Sequence, residues 1–421
     1  MTLDTVVVGA GQAGLGTSYF LQRNRRNHIV LERGRIGETW LSQRWDSFQL
    51  NSPNSISTLP GLPYEGPEPD GFWRRDEMVA YFQRYMEHWA LPVHTGVTVT
   101  AIERADPMDG FLVRTSAKQP ALQSLLTRSV VVASGMQQTP KFPPPQCKIP
   151  GNVMQLHTAE YRNAAALPPG AVVVVGGAQS GVQIAEDLAA AGRRVYLCTS
   201  KVGRSPRRHR GRDIMIWTVE FKLFDVTIAS LKAKSIRPPT QSQISGVSRY
   251  GHTVSLQSLA RKGVVILGRL LDVDGNSLVL SHEAAEHVRF ADESSQKRRS
   301  EIDACLASAG LPLPPLEEDP ADEPDPRAEC ASPLRRLDLH DSGVGAVIWA
   351  TGFTADFSWI HVPVLDSRGM PIHERGVSPV RGLYFVGFPW LNSRKSGFIM
   401  GISEDGEYIV NAIEQHLSRD G

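Results

Sequence analysis

Twice in this chain a short apolar run stops at a glycine-rich turn and gives way to a segment of helical character. The first runs from Thr5 to Val8, through Gly9-Ala10-Gly11-Gln12-Ala13-Gly14, and on to Gln22. The second runs from Ala171 to Val175, through Gly176-Gly177-Ala178-Gln179-Ser180-Gly181, and on to Ala191. Strand, tight turn and helix in that order restrict the fold severely. The turn needs one glycine for the bend, a small residue where the backbone nears a pyrophosphate, and a glycine where helix meets strand. The helix start then presents free amides and the positive end of its dipole to a phosphate. Each unit reads as the opening of a dinucleotide-binding domain, so the expected fold is α/β with two Rossmann-like domains.

The two units differ where the ribose would lie. After the first, "NHIVLERG" is a second strand ending in Glu32, and an acid about 20 residues beyond the glycines holds a ribose diol. After the second, the strand at 194–198 runs into Thr199-Ser200-Lys201, then Arg204, Arg207, Arg208, Arg210 and Arg212, with no acid. A carboxylate repels a 2'-phosphate, whereas hydroxyls and guanidinium forks bind one. The first unit is therefore expected to grip an adenosine diphosphate with a free ribose, and the second NADPH. Ala178 replaces the middle glycine and turns a methyl toward the pyrophosphate, which fits a ligand that exchanges. A basic run is also the mark of a solvated loop or a nucleic-acid patch; its place directly after a nucleotide-type strand favours NADPH.

With 421 residues, 41% of them apolar, the chain has the length for two or three domains with sizeable cores. A formal net charge of +1 gives no overall field toward nucleic acid or an anionic membrane. The apolar runs are far short of the roughly 20 residues of a membrane helix, and no charged leader precedes a signal-type core. The expectation is a soluble, cytoplasmic protein with no nucleic-acid partner. Cys147, Cys198, Cys305 and Cys330 lie far apart, with no C-x-x-C pair and no metal-ligand spacing. They read as thiols in a reducing compartment, with no metal site.

Between the units, Met78, Val79, Phe82 and Met86 recur at helical intervals as a packing face. "VHTGVTVTAIERAD" and "GFLVRTSA" alternate as strands do, with a break at Asp109-Gly110. "RSVVVASGMQQTPKFPPP" is a buried strand followed by a proline-rich crossover. Residues 311–329 are acidic and proline-rich, which predicts an exposed or mobile connection. Order returns at "GVGAVIWATGF", at "GLYFVGFPW" and in a last helix over about 403–417. Since the first domain lacks its final strands, the second is expected to be an insertion: 1–165 begins the first domain, 166–343 forms the second, and 344–421 completes the first.

Several stretches together resemble the class B flavin-containing monooxygenases, and among them the CzcO-like FAD/NAD(P)-dependent oxidoreductases, over nearly the whole chain. They are the first glycine turn with Glu32, "GETW" ending at Trp40, "QLHTAEYRN", "GGAQSG", "SPRRHRGRD" and "IWATGF". The resemblance implies FAD in the first unit and NADPH in the second. Around FAD it implies contacts at Gly9, Ala10, Gly11, Gln12, Ala13, Gly14, Glu32, Arg33, Thr39, Trp40 and Trp45. Around NADPH it implies Gly177, Ala178, Gln179, Ser180, Gly181, Thr199, Ser200, Lys201, Arg207 and Arg208. Ala350, Thr351 and Gly352 would join the two domains beside the cofactors. "FQLNSPNS" resembles the segment that brings an active-site Asn to the flavin, which nominates Asn51, with Asn54 as its neighbour. His157 is the second candidate for a catalytic role, although "NVMQL" puts five residues between Gly151 and His157 where the fingerprint has three. Tyr161 reads as packing.

Two anchored cofactors explain why one chain carries two such units: hydride transfer needs the nicotinamide laid against the flavin. Without a dithiol pair to receive the electrons, oxygen is the acceptor, through a flavin hydroperoxide held in a dry pocket. The expected activity is a NADPH-dependent FAD monooxygenase placing one oxygen atom from O2 on a small organic substrate, at nitrogen, sulfur or carbon, with Baeyer–Villiger oxidation as a variant. A NADPH-dependent flavin reductase or oxidase, and a redox-sensing flavoprotein with a protein partner, are the alternatives. Oligomeric state stays open, a homodimer among the options.

Overall fold

Strands buried on both faces account for the valine runs. In the computed structural model, which describes residues 2–105, 110–238, 243–246, 251–329 and 334–418, the strands that matter to the site are twelve. They are β1 Leu3–Val8, β2 His28–Glu32, β3 Val93–Thr95, β4 Val99–Arg104, β5 Phe111–Thr115, β6 Ser124–Val132, β7 Met154–His157, β8 Ala171–Val175, β9 Val195–Cys198, β10 Val265–Leu267, β11 Val344–Trp349 and β12 Leu383–Phe385. The principal helices are α1 Gln12–Arg23, α2 Arg75–His88, α3 Gln179–Ala190, α4 Ala284–Ser308 and α5 Ile402–Ser418. Successive strand side chains point to opposite faces. Val7 and Val131 accordingly enter one core cluster, while Val6, Val8, Val130 and Val132 enter another. In the second unit Val172 and Val174 are separated from Val173 and Val175 in the same way. Such two-sided burial requires helices on both faces of a parallel sheet.

The first sheet has the order β3-β2-β1-β6-β5-β4, with β12 also on β6. Strand β6 changes partner along its length: Ser124 to Thr127 pair antiparallel with β5, and Val130 to Val132 pair parallel with β12. The second sheet, β10-β9-β8-β11-β7, is parallel throughout. In both sheets the glycine turn follows the strand at which the order reverses, the place where open α/β sheets leave a crevice.

The expected bounds 166–343 leave out two strands of the second sheet. Strand β7 lies before 166 and β11 after 343, yet both pair within the second sheet. Their membership is set by hydrogen bonds to β8 and to each other, which a linear pattern does not carry. The two crossings between sheets also pair with one another, Thr139–Pro140 running antiparallel to Phe353–Thr354. The expected break at Asp109 lies outside the described residues.

The acidic stretch at 311–329 is not a free connection along its second half. Asp322 reaches both Arg204 (2.7 Å) and Arg299 (2.5 Å), and Ser255 donates to the carbonyl of Ala321 at 2.6 Å. Ala321 and Ala328 are buried. Acidic residues that could not build a core by themselves are held because they neutralise arginines the rest of the domain buries. No described helix is long and apolar enough to cross a membrane.

Candidate functional site

Both glycine turns are built the same way, down to individual distances. Gly9 has φ of 109° and Gly176 has φ of 118°, values that L side chains avoid. A Cβ on Gly14 would stand 1.8 Å from the Gly9 carbonyl, and one on Gly181 would stand 1.8 Å from the Gly176 carbonyl. Gly11 and Ala178 then begin α1 and α3 with nearly equal backbone angles, and neither helix has a side-chain cap. Their first-turn amides are left for an anion. Space separates the two: nothing lies within 4 Å of where a Gly11 Cβ would be.

Equivalent backbone bonds also fix which residues face the ribose positions. Gly9 N donates to Leu31 O at 2.8 Å, and Gly176 N to Cys198 O at 2.9 Å, so Glu32 and Thr199 occupy matching stations. Glu32 is buried; one of its oxygens accepts from the Ala10 amide and the other from the Gly34 amide, each at 2.8 Å. Each oxygen keeps a lone-pair direction for a further donor. Thr199 is different: its hydroxyl donates to Leu267 O at 2.7 Å and meets His287 Nδ1 at 2.9 Å, so it is spent inside the domain.

One cavity of about 1460 Å³ takes in both turns, beyond the roughly 300–1,000 Å³ typical of a single small-ligand pocket. On the first side Gly9, Gly11, Gln12, Ala13, Glu32 and Arg33 line it, with Thr39, Trp40 and Trp45 across from them. On the second side it is lined by Gly177, Ala178, Gln179, Ser180, Thr199 and Ser200. Ala350, Thr351 and Gly352 line it where the chain crosses back, and Asn51 lines it between the two sides. Ala10, Gly14 and Gly181 shape the turns without reaching the cavity. The two glutamines at the helix starts have been tied down: Gln12 Oε1 accepts from Trp40 Nε1 at 3.1 Å. Gln179 donates to Ser245 O and accepts from Ile244 N.

The basic run does not do what its position predicts. Arg207 is fully buried against Asp213, lies 4.9 Å from the Phe72 ring centroid, and donates to the carbonyl of Asn51 at 2.9 Å. Arg204 is paired with Asp292 and Asp322, Arg210 with Asp303, Arg212 with Glu220, and Lys201 with Glu286. Neither Lys201, Arg207 nor Arg208 lines the cavity. Arg269, 69 residues beyond Ser200, follows β10 and lines the same cavity as Ser200, its guanidinium 3.2 Å from Glu283. Strand β10 pairs with β9, Cys198 opposite Leu267, so Arg269 and Ser200 each follow the end of a paired strand by two residues.

His157 is likewise displaced from the chemistry. It is wholly buried at the end of β7, its Nε2 donates to the Gly352 carbonyl at 2.9 Å, and its Nδ1 accepts from the Ala159 amide at 3.2 Å. Phe142 and Phe353 pack edge-on against the ring. These bonds require one neutral tautomer, and burial holds the ring below the ordinary histidine range. His157 thus pins the outgoing strand to the returning one. Burial lowers His28 and His287 as well. The unfolded chain takes up protons near pH 6.5 where the folded rings do not. Stability from these groups is therefore complete above that pH and falls as the solution is acidified through the window between unfolded and folded values. Thermal unfolding between about pH 7.5 and pH 5.5 is expected to show this loss, and His157→Gln to make it shallower. An unchanged slope in the variant would place the titration elsewhere.

Residues that sequence reasoning missed complete the walls. Gln183, one turn beyond Gln179 on the same helix face, donates to Asn51 Oδ1 at 3.2 Å, which turns the Asn51 Nδ2 group away from it. Asp187, a further turn on, accepts from Ser47 Oγ at 2.8 Å and from Tyr161 at 2.6 Å, locking the 42–52 segment to α3. The helical spacing of 179, 183 and 187 was the available signal. Arg44 lies over Trp40 and Phe48 at 5.5 and 5.4 Å, and burial pushes its guanidinium down to about 10, so it remains a cation at neutral pH. Asn54 is buried outside the cavity, donating to Glu68 O.

The sequence model of the pyridine nucleotide-disulphide oxidoreductases matches residues 6–258, the span of both glycine turns. The chain belongs to that family. It is similar over its length to a CzcO-like oxidoreductase of Geobacillus kaustophilus, 32% identical over 418 residues, covering 98% of this chain and 99% of the relative. Among solved structures, the flavin-containing monooxygenase from Stenotrophomonas maltophilia superposes with a TM-score of 0.65 at 18% identity, covering 100% of this chain and 99% of that one. The OTEMO complex with FAD and NADP gives 0.54 at 13% identity, covering 99% and 86%.

Disulphide chemistry in such an oxidoreductase needs a reactive dithiol near the electron donor. Among the described residues Cys198 alone lines the cavity. It is buried and pushed up to about 12 by that burial, so its thiol stays protonated and inert. Cys147 is exposed and Cys305 half-buried, both unpaired; Cys330 lies outside the described residues.

Proposed function

We propose that this chain is a NADPH-dependent FAD monooxygenase transferring one oxygen atom from O2 to a small organic substrate at nitrogen, sulfur or carbon. The observation that carries the reading is the single cavity onto which both uncapped glycine turns open. In the first turn, open space at Gly11 receives the FAD pyrophosphate and Glu32 accepts from the ribose hydroxyls. In the second, Ala178 and the α3 amides face the NADPH pyrophosphate, and Ser200 with Arg269 meets the 2'-phosphate. Bound FAD supplies two-electron chemistry between NADPH and dioxygen.

The chain's own contribution is orientation and exclusion of water. Gln183 holds the Asn51 carbonyl oxygen, which leaves the Nδ2 hydrogens to donate toward an oxygen atom in the cavity. Ile214, Met215, Phe224, Phe398 and Met400 form an apolar wall beyond Asn51, where a preorganised donor acts with little competition from water.

The deciding measurement is stoichiometry over a panel of amines, thioethers and ketones. A monooxygenase consumes NADPH in proportion to oxygenated product; hydrogen peroxide equal to NADPH whatever is added rejects the proposal in favour of an oxidase. A second measurement addresses the dinucleotide. Charge-assisted bonds contribute about 1.5–3 kcal/mol each, so Arg269→Ala is expected to raise the KM for NADPH roughly tenfold to a hundredfold while leaving that for NADH nearly unchanged. Equal effects on both would remove Arg269 from 2'-phosphate recognition.

A further inference from the structure

Arginines set into the second domain are matched by acids: Arg204 by Asp292 and Asp322, Arg207 by Asp213, Arg210 by Asp303, and Arg299 by Asp322. Arg394, outside that domain, is not matched in this way. It lines the cavity, its guanidinium lies 5.3 Å from the centroid of the Phe224 ring, and no carboxylate pairs with it among the described residues. Lys395 beside it holds both Asp225 and Glu404, so the local acids are already committed. Burial pushes Arg394 below its ordinary value and the nearby charge of Arg298 pushes it further, with the Glu301 carboxylate acting in the opposite direction. Arg298, on α4, lines the same cavity and is paired with Glu301, three residues on, at 2.9 Å. Two guanidinium groups therefore share an apolar wall, with Glu301, paired to Arg298, as the carboxylate that acts on both.

A partly desolvated cation without a counter-ion is unfavourable, and a guanidinium meets a carboxylate through two parallel bonds. We propose that the substrate carries a carboxylate, which Arg394 binds with Arg298 beside it, while its apolar body lies along Ile214, Met215 and Phe398. The proposed dinucleotide phosphates are assigned to other residues, at the two helix starts and at Ser200 with Arg269. This inference rests on the reading of the cavity as an oxygenation site, and it assigns the chemical class of molecule that site accepts.

The test uses the full-length FAD-bound protein and a panel of arylthio- and alkylthio-carboxylates, each compared with its primary carboxamide by isothermal titration in the absence of NADPH. At least one carboxylate is expected to bind roughly tenfold to a hundredfold more tightly than its carboxamide. Arg394→Met is expected to bring that ratio close to one, and Arg394→Lys to restore part of it. If no carboxylate in the panel outperforms its carboxamide, or if Arg394→Met weakens both forms equally, the proposal is overturned. A rise in the NADPH KM of Arg394→Met as large as the loss of carboxylate preference would also overturn it, by giving Arg394 to the dinucleotide. Should Arg394→Met fail to fold, the wild-type ratio and the Arg394→Lys ratio still decide. Because the ratios are read without turnover, peroxide formation equal to NADPH consumption rejects the monooxygenase reading and leaves them standing; coupled turnover with ratios near one does the reverse.

Discussion

Gly11→Leu protein is expected to purify folded but colourless, with NADPH oxidation reduced by about a thousandfold or more, because without its flavin the site has no electron carrier. The backbone at Gly11, φ −83° and ψ −171°, is open to any L residue, and a Cβ there meets nothing within 4 Å. The fold therefore accepts the side chain, while the space it fills is the one facing the uncapped amides of α1. Gly14→Ala is the contrasting case: its Cβ would collide with the Gly9 carbonyl at 1.8 Å, so the strand-helix junction itself is broken and stability falls along with the flavin. The second turn supplies the complement. Ala178→Leu is expected to stay yellow and reducible by dithionite, yet to be reduced by NADPH far more slowly. Flavin absorbance, dithionite reduction and NADPH oxidation on the three purified variants check this together. Full flavin content in Gly11→Leu would mean that the first turn is not the flavin cradle.

Asp213→Ala is expected to lower unfolding stability by about 3–5 kcal/mol, the range found when one partner of a buried ion pair is removed. Side chains of Arg207 and Asp213 are 1% and 2% exposed. Truncating Asp213 leaves a guanidinium enclosed by protein without its charge partner. It also removes the side-chain cap that Asp213 gives the helix Ile214–Glu220 through Met215 N at 2.8 Å. The consequence reaches the cavity, since Arg207 holds the Asn51 carbonyl and the capped helix contributes Ile214 and Met215 to the apolar wall. Asp213→Asn, which keeps the cap acceptor and loses the charge, is expected to fall between wild type and alanine. Urea unfolding followed by tryptophan fluorescence and by flavin release gives the comparison. An alanine variant within about 1 kcal/mol of wild type would show that Arg207 finds another partner or reaches water.

What could be read locally was read correctly for a physical reason. The glycine turns are short-range devices: a bend, a close approach and a helix start are all made by six consecutive residues, so their geometry at Gly9 and Gly176 follows from residue type alone. The match of Glu32 with Thr199 is of the same kind, since Glu32 ends, and Thr199 follows, the strand that pairs beside its turn. Arg207 and Arg208 were misplaced because charge says nothing about direction. Acids brought from 213, 292, 303 and 322 pair with Arg204, Arg207 and Arg210, and Arg208 is exposed away from the cavity. The histidine at 157 was misplaced similarly: its partner is a carbonyl 195 residues away on the return crossing.

By itself the sequence determined that there are two glycine turns between strand and helix, which of them is followed by an acid at the end of the next strand, and that no C-x-x-C motif is present. Each of these depends on neighbours in the chain. The tertiary structure decided that both turns share one cavity, that Arg269 lines it while the basic run does not, that Gln183 orients Asn51, and that Arg394 lines it with no carboxylate ion-paired to it among the described residues. Those facts depend on which strands pair and which charges are buried together, and such long-range choices are made by the free energy of the whole packed chain rather than by any stretch of it.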